Sequence, residues 1–207
     1  MNLPNKLSLF RIILVPFMVF FYLAEFVPYG KAIALGIFII SALTDLFDGK
    51  IARKRGLVTN LGKMLDPIAD KILTLSILLL LVVDGTIPAP YGVIAAIIIL
   101  SRDFMVDMLR QISASKNQVI AADMWGKWKT MILDIAFPLL ILVAFLQQDL
   151  LLEGGVVYIL SIFSLGLFGI GTLLCIISGV NYMIKNSFVF KEEKKEETQK
   201  EQNEDNQ

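Results

Sequence analysis

The chain contains no histidine and a single cysteine, Cys175. The first absence removes histidine-dependent catalytic triads, imidazole-bound metals and histidine proton shuttles. The second excludes intrachain disulfides and thiolate zinc sites, and Cys175, set in an apolar stretch, reads as a small packing residue. Any metal ion must therefore be held by oxygen ligands, which points to magnesium, manganese or calcium. Net charge is missing as well: 19 Lys+Arg balance 19 Asp+Glu. The total is uninformative, its distribution along the chain is not, and nothing points to a nucleic-acid partner.

Apolar sequence is what the chain has in excess. Hydrophobic residues make up 56% of the 207 positions, with a mean hydropathy of +0.70, too high for an ordinary soluble domain of this length. A soluble helical bundle would show polar stripes every three or four residues, and 33–40, 72–83 and 159–177 show almost none. Six apolar segments can be drawn, at 12–26, 32–46, 65–83, 91–109, 131–146 and 156–183, against the roughly 20 residues needed to cross a bilayer. Breakers separate most of them: Pro28-Tyr29-Gly30, Asp84-Gly85-Thr86, Pro88 with Pro90, and Gly154-Gly155. The first run is long and has no small-x-small cleavage site before Glu25, so it reads as a helix and not as a signal peptide. The mixed apolar and basic stretch at 2–11 is expected to lie along the membrane surface.

Lysine and arginine alternate between the connections. Lys6 and Arg11 precede the first segment, Lys50, Arg53, Lys54, Arg55 and Lys63 fill the second connection, and Arg110, Lys116, Lys127 and Lys129 fill the fourth. The first connection has only Lys31, and 83–90 and 147–155 have neither residue. The expected fold is an all-α polytopic membrane protein with six transmembrane helices and both termini cytoplasmic. Residues 1–185 form one membrane domain, and 186–207, rich in Glu, Lys, Gln, Asn and Asp, form a charged tail that is a solvated helix or disordered.

The chemistry concentrates in 45–70. Asp45 and Asp48 are spaced i,i+3 and Asp66 and Asp70 i,i+4, so each pair occupies one helix face. The short connection predicts antiparallel neighbours whose acidic faces meet at one membrane depth. One carboxylate at a bilayer centre costs about 2.5–3.5 kcal/mol, and four together repel one another, so they need cations. Oxygen-ligated divalent metal is the natural partner, and two such ions clamp and neutralise a pyrophosphate. Gly49 and Gly62 let a phosphate approach the backbone. Helix capping would explain any one of these aspartates, but not four on two matched faces.

The pattern D-x2-D-G-x2-A-R-x8-G-x3-D-x3-D, met at every fixed position between Asp45 and Asp70, resembles the signature of the CDP-alcohol phosphatidyltransferases. The resemblance implies a six-helix, usually homodimeric fold with a cytoplasm-facing polar cavity, placed here in the plasma membrane. It implies that Asp45, Asp48, Asp66 and Asp70 hold two Mg2+ or Mn2+ ions, and that Asp70 also deprotonates the acceptor hydroxyl. Asn5, Gly49, Ala52, Arg53 and Gly62, with the first three aspartates, would bind the CDP-lipid.

Basic residues near a metal–phosphate site suit an acceptor carrying its own phosphate, and Arg102, Arg110, Lys127 and Lys129 are the candidates. The positive-inside rule and anionic headgroups account for part of this charge. Two further stretches, Asn2-Leu3-Pro4-Asn5-Lys6-Leu7-Ser8 with Arg11, and Arg102-Asp103-Phe104 through Leu109-Arg110 to Gly126-Lys127-Trp128-Lys129-Thr130, resemble the glycerol-phosphate branch of the family. Asp103 stands where that branch commonly has glutamate, and Leu133 where it has glutamine. The implied substrates are CDP-diacylglycerol and glycerol 3-phosphate, within a shell of membrane lipids. Another acceptor such as inositol phosphate is the alternative within the family. A divalent-cation transporter is the alternative from another class, although its carboxylates belong near the midplane in two repeats. Asp134, inside the fifth segment, has no partner assignable from sequence.

Overall fold

The computed structural model describes residues 3–55, 60–115 and 124–186, and every element among them is helical. The order is α1 (Leu3–Leu23), α2 (Gly30–Arg55), α3 (Asn60–Val83), α4 (Ala89–Ser115), α5 (Met124–Ala144), a π-helical turn (Phe145–Asp149) and α6 (Gly155–Lys185). All six apolar segments are helices, and the proline and glycine breakers fall between or at the ends of them. Most extend beyond the apolar run at the end that carries charge, because hydropathy marks only the apolar part of a helix while Lys, Arg and Glu are themselves good helix formers. Residues 187–207, which hold most of the expected disordered tail, lie outside the described residues.

The opening stretch departs from expectation. It is not a surface segment set apart from the first helix: α1 runs unbroken from Leu3 to Leu23. Asn5, Ser8 and Arg11, spaced to share one face, are buried to 3%, 0% and 1% exposure. Their polar groups turn inward to satisfy partners in the protein, where a buried polar group must be paired.

The packing pairs are α1 with α2 and α3, α3 with α4 and α5, α4 with α6, α6 with α5, and α5 with α2. The helices thus form a ring in the order α1, α3, α4, α6, α5, α2, closed around an apolar interior that includes Met18, Ala34, Phe38, Leu73, Ile77, Leu133, Phe137 and Cys175. Cys175 is fully buried, as its apolar setting predicted. Sequence spacing predicted α2 and α3 as direct neighbours. Among the described residues α1 instead packs against both, and α2 and α3 share the walls of a cavity.

Glycine sets the closest approaches. A Cβ on Gly171 of α6 would lie 2.6 Å from Leu133 Cδ2 of α5, so a missing side chain lets these helices touch, as small residues do in membrane bundles. The outward faces are apolar: Phe10, Ile13, Phe17 and Phe20 of α1 and Ile159, Phe163 and Leu173 of α6 are all exposed. Such patches exceed what a soluble monomer presents to water. The spans Asn5–Leu23, Met124–Asp149 and Gly155–Lys185 are long and apolar enough to cross a membrane.

Opposite ends of the bundle differ. At one end Lys31 pairs with Asp149 at 3.0 Å, Tyr22 donates its hydroxyl hydrogen to Asp84, and the Gln148 amide reaches the Asp84 carbonyl at 3.3 Å. The signature residues lie at the other end.

Candidate active site

Two cavities open at that end, and they share a wall. The first, of about 330 Å³, lies between α1, α2, α3 and α5. Its polar lining is Arg11, Asp45, Asp70, Thr74, Thr130 and Asp134, and the rest is apolar. The second, of about 170 Å³, lies between α3, α4 and α5 and is lined by Lys71, Arg102, Arg110 and Lys129 together with Asp70, Asp103 and Asp107. Asp70 and Thr130 belong to both. The site therefore has an acidic chamber and a basic chamber that meet at one carboxylate.

Helix geometry explains the division. Asp66 and Asp70 stand one turn apart on α3, while Lys71, a further 100° round, turns toward α4 and pairs with Asp107. On α5, Lys129 faces the basic chamber and is buried, whereas Lys127, two residues earlier, is exposed and does not line it. Arg102 and Arg110 stand eight residues apart on α4 and both line the basic chamber.

Two acids of the signature, Asp45 and Asp66, are held from outside it. Arg11 forms an ion pair with Asp45 at 2.6 Å, and Ser8 donates to Asp66. Both partners come from the buried face of α1, which sets the two carboxylates before any substrate arrives. The side chains of Asp48, Gly49, Ala52 and Arg53 lie outside the described residues, while Gly62 is buried at the start of α3 and Asn5 is buried on α1.

The basic chamber is partly self-neutralised. Lys129 Nζ reaches both carboxylate oxygens of Asp103 at 2.8 Å, and Arg102 Nη1 donates to Asp103 at 3.0 Å. Arg102 also donates to Ser178 of α6. Two glycines make room for its side chain: a Cβ on Gly126 would sit 2.8 Å from Arg102 Nη2, and one on Gly179 3.0 Å from its Cγ. Arg110 is employed differently. It is exposed to the cavity and lies over the Tyr182 ring at 5.8 Å. Among the described residues it is the one cation of the chamber with no acidic partner. An unpaired guanidinium beside paired cations is what an incoming phosphate would find, with a planar fork for two of its oxygens.

The donor chemistry fits a hard divalent ion. Asp45, Asp66 and Asp70 offer only oxygens, and they stand on two helices that face a common cavity. Among the described residues, no three acidic, histidine or cysteine side chains come close enough to form an ion-holding group, and Asp48 is outside that set.

The model of the CDP-alcohol phosphatidyltransferase family matches residues 1–179, which span all of α1 to α5 and most of α6. The chain belongs to this family. As a CDP-alcohol phosphatidyltransferase it has close curated relatives. A CDP-diacylglycerol–glycerol-3-phosphate 3-phosphatidyltransferase of Bacillus subtilis is 41% identical over 152 residues, covering 68% of this chain and 77% of the relative. One of Rickettsia bellii is 32% identical over 182 residues, covering 87% and 93%. A third, from Arabidopsis thaliana, is 33% identical over 165 residues, covering 75% and 70%.

Several residues that line or brace the two chambers carried no assigned role in the sequence: Ser8, Arg11, Lys71, Asp107, Asp134, Ser178 and Tyr182. Arg11, a charge at the edge of an apolar run, carried a usable signal, since such a charge needs a partner. Ser178 and Tyr182 carried none, because nothing along α6 marks which of its residues meets α4.

Proposed function

We propose that the chain transfers a phosphatidyl group from CDP-diacylglycerol to glycerol 3-phosphate, giving phosphatidylglycerophosphate and CMP. One observation supports this most directly: an acidic and a basic chamber meet at Asp70. An acceptor with phosphate at one end and a hydroxyl at the other spans that junction, its phosphate among the cations and its hydroxyl at the carboxylate. The names of the relatives match that substrate pair.

In this reading Asp45, Asp48, Asp66 and Asp70 hold two Mg2+ or Mn2+ ions, which neutralise the pyrophosphate of the CDP-lipid. Asn5, Gly49, Ala52, Arg53 and Gly62 receive the cytidine diphosphate alongside the first three aspartates. Arg110 binds the acceptor phosphate, Lys129 and Arg102 support it, and Lys127 adds positive field from the exposed side of α5. Asp70 takes the proton of the acceptor hydroxyl. That oxygen bonds to the lipid-bearing phosphorus as the bond from phosphorus to the CMP oxygen breaks, and CMP leaves with the electron pair. Arg11 and Ser8 keep Asp45 and Asp66 oriented throughout. The six helices cross the plasma membrane with both termini and the site on the cytoplasmic side, and the enzyme works as a homodimer among membrane lipids.

An acceptor panel tests the assignment. Protein purified in detergent, given CDP-diacylglycerol and magnesium or manganese, should release CMP fastest with glycerol 3-phosphate, and chelation should stop it. Faster release with inositol phosphate would overturn the acceptor. An absence of CMP release with every acceptor would overturn the reaction.

A further inference from the structure

Asp134 is the one carboxylate of the acidic chamber that belongs to no motif. It sits on α5, one turn beyond Thr130, and both side chains are exposed to the cavity. A charged group on so apolar a helix is costly unless it faces water or a polar ligand, so its presence in the chamber calls for a polar contact there. Arg11 is already committed to Asp45. Most of the remaining wall, including Phe38, Leu43, Leu73 and Phe137, is apolar and offers nothing to a hydroxyl.

We propose that Asp134, assisted by Thr130, recognises the secondary hydroxyl of the acceptor and so selects a vicinal-diol phosphate over a simple hydroxyalkyl phosphate. This inference rests on the acceptor assignment above. With the phosphate in the basic chamber and the reacting hydroxyl at Asp70, the carbon between them passes Thr130, which lines both chambers. Its hydroxyl then projects along the α5 wall, where a carboxylate is the strongest hydrogen-bond acceptor among the groups not already engaged. Asp134 acts here as a specificity residue. It accepts a hydrogen bond from the substrate and takes no part in bond making. A site built to bind a substrate hydroxyl discriminates strongly against the analogue lacking it, since its own polar group is then left unpaired.

The test compares kcat/KM for glycerol 3-phosphate with that for 3-hydroxypropyl phosphate, which differs only by the missing hydroxyl. The parent should favour glycerol 3-phosphate by at least about tenfold. In Asp134→Ala that preference should fall to near unity, mainly through loss with glycerol 3-phosphate, while the KM for CDP-diacylglycerol holds. Asp134→Ser, which keeps a shorter hydrogen-bonding group, should give an intermediate ratio and serves if the alanine variant does not fold. Equal losses with both acceptors, leaving the ratio at its parent value, would overturn the proposal, because a merely structural role predicts that result. A parent that does not use glycerol 3-phosphate at all overturns the acceptor assignment itself, a failure seen before any variant is made.

Discussion

At the scale of single residues, the four cations of the basic chamber differ in how far they are already engaged. Lys129 is buried and bound to both oxygens of Asp103, Lys71 is paired with Asp107, and Arg102 is shared between Asp103 and Ser178. Arg110 alone among them, in the described residues, keeps its fork for a ligand. Arg110→Ala should therefore raise the KM for glycerol 3-phosphate at least tenfold, about 1.4 kcal/mol of lost binding, with little change in the KM for CDP-diacylglycerol. Lys127→Ala should change it less, because that side chain is exposed and does not line the chamber. Steady-state kinetics with each substrate varied in turn decides between them, and equal rises in both KM values for Arg110→Ala would assign it to the donor or the fold. The aspartates of the signature were legible in the sequence because their spacing is itself the message. The engagement of each cation was not, since it depends on which helix lies opposite.

At the scale of helices, glycines decide how close α4, α5 and α6 come. Gly126 and Gly179 flank the Arg102 side chain from α5 and α6, whereas Gly171 serves packing alone. The two kinds should separate experimentally. Gly126→Ala pushes on the guanidinium, which shifts with its hydrogen bonds to Asp103 and Ser178, so acceptor KM should rise while thermal stability in detergent changes little. Gly171→Ala drives a methyl group into Leu133, with Cδ2 at 2.6 Å and Cγ at 2.8 Å, and should destabilise the bundle by about 1–3 kcal/mol, as overpacking does. A stability loss in Gly126→Ala as large as in Gly171→Ala would deny it a role at the site. The six helices were legible from hydropathy and breakers. Their full lengths were not, because residues such as Asn5, Ser8 and Arg11 continue a helix without adding to its apolar run. Nor could the linear order show α1 packed against both α2 and α3.

At the scale of the whole molecule, the signature aspartates and both chambers lie at one end of the bundle, and the lysine and arginine alternation predicts that this end faces the cytoplasm. Single cysteines placed at Asn60 and Ser115, in a variant with Cys175 replaced by serine, should react with an impermeant thiol reagent only from the cytoplasmic side. One placed at Gln148 should react only from outside. Labelling of Ser115→Cys from outside in intact cells would remove a span from the topology. The far end has a consequence of its own. Lys31 and Asp149 fasten α2 to the turn after α5, Tyr22 and Asp84 fasten α1 to the end of α3, and Gln148 adds a tie to the same loop. With those helices tied there, any spreading that the proposed CDP-lipid requires is expected at the opposite end. The bundle is then built like tweezers, with these ties at the hinge and the aspartates at the tips.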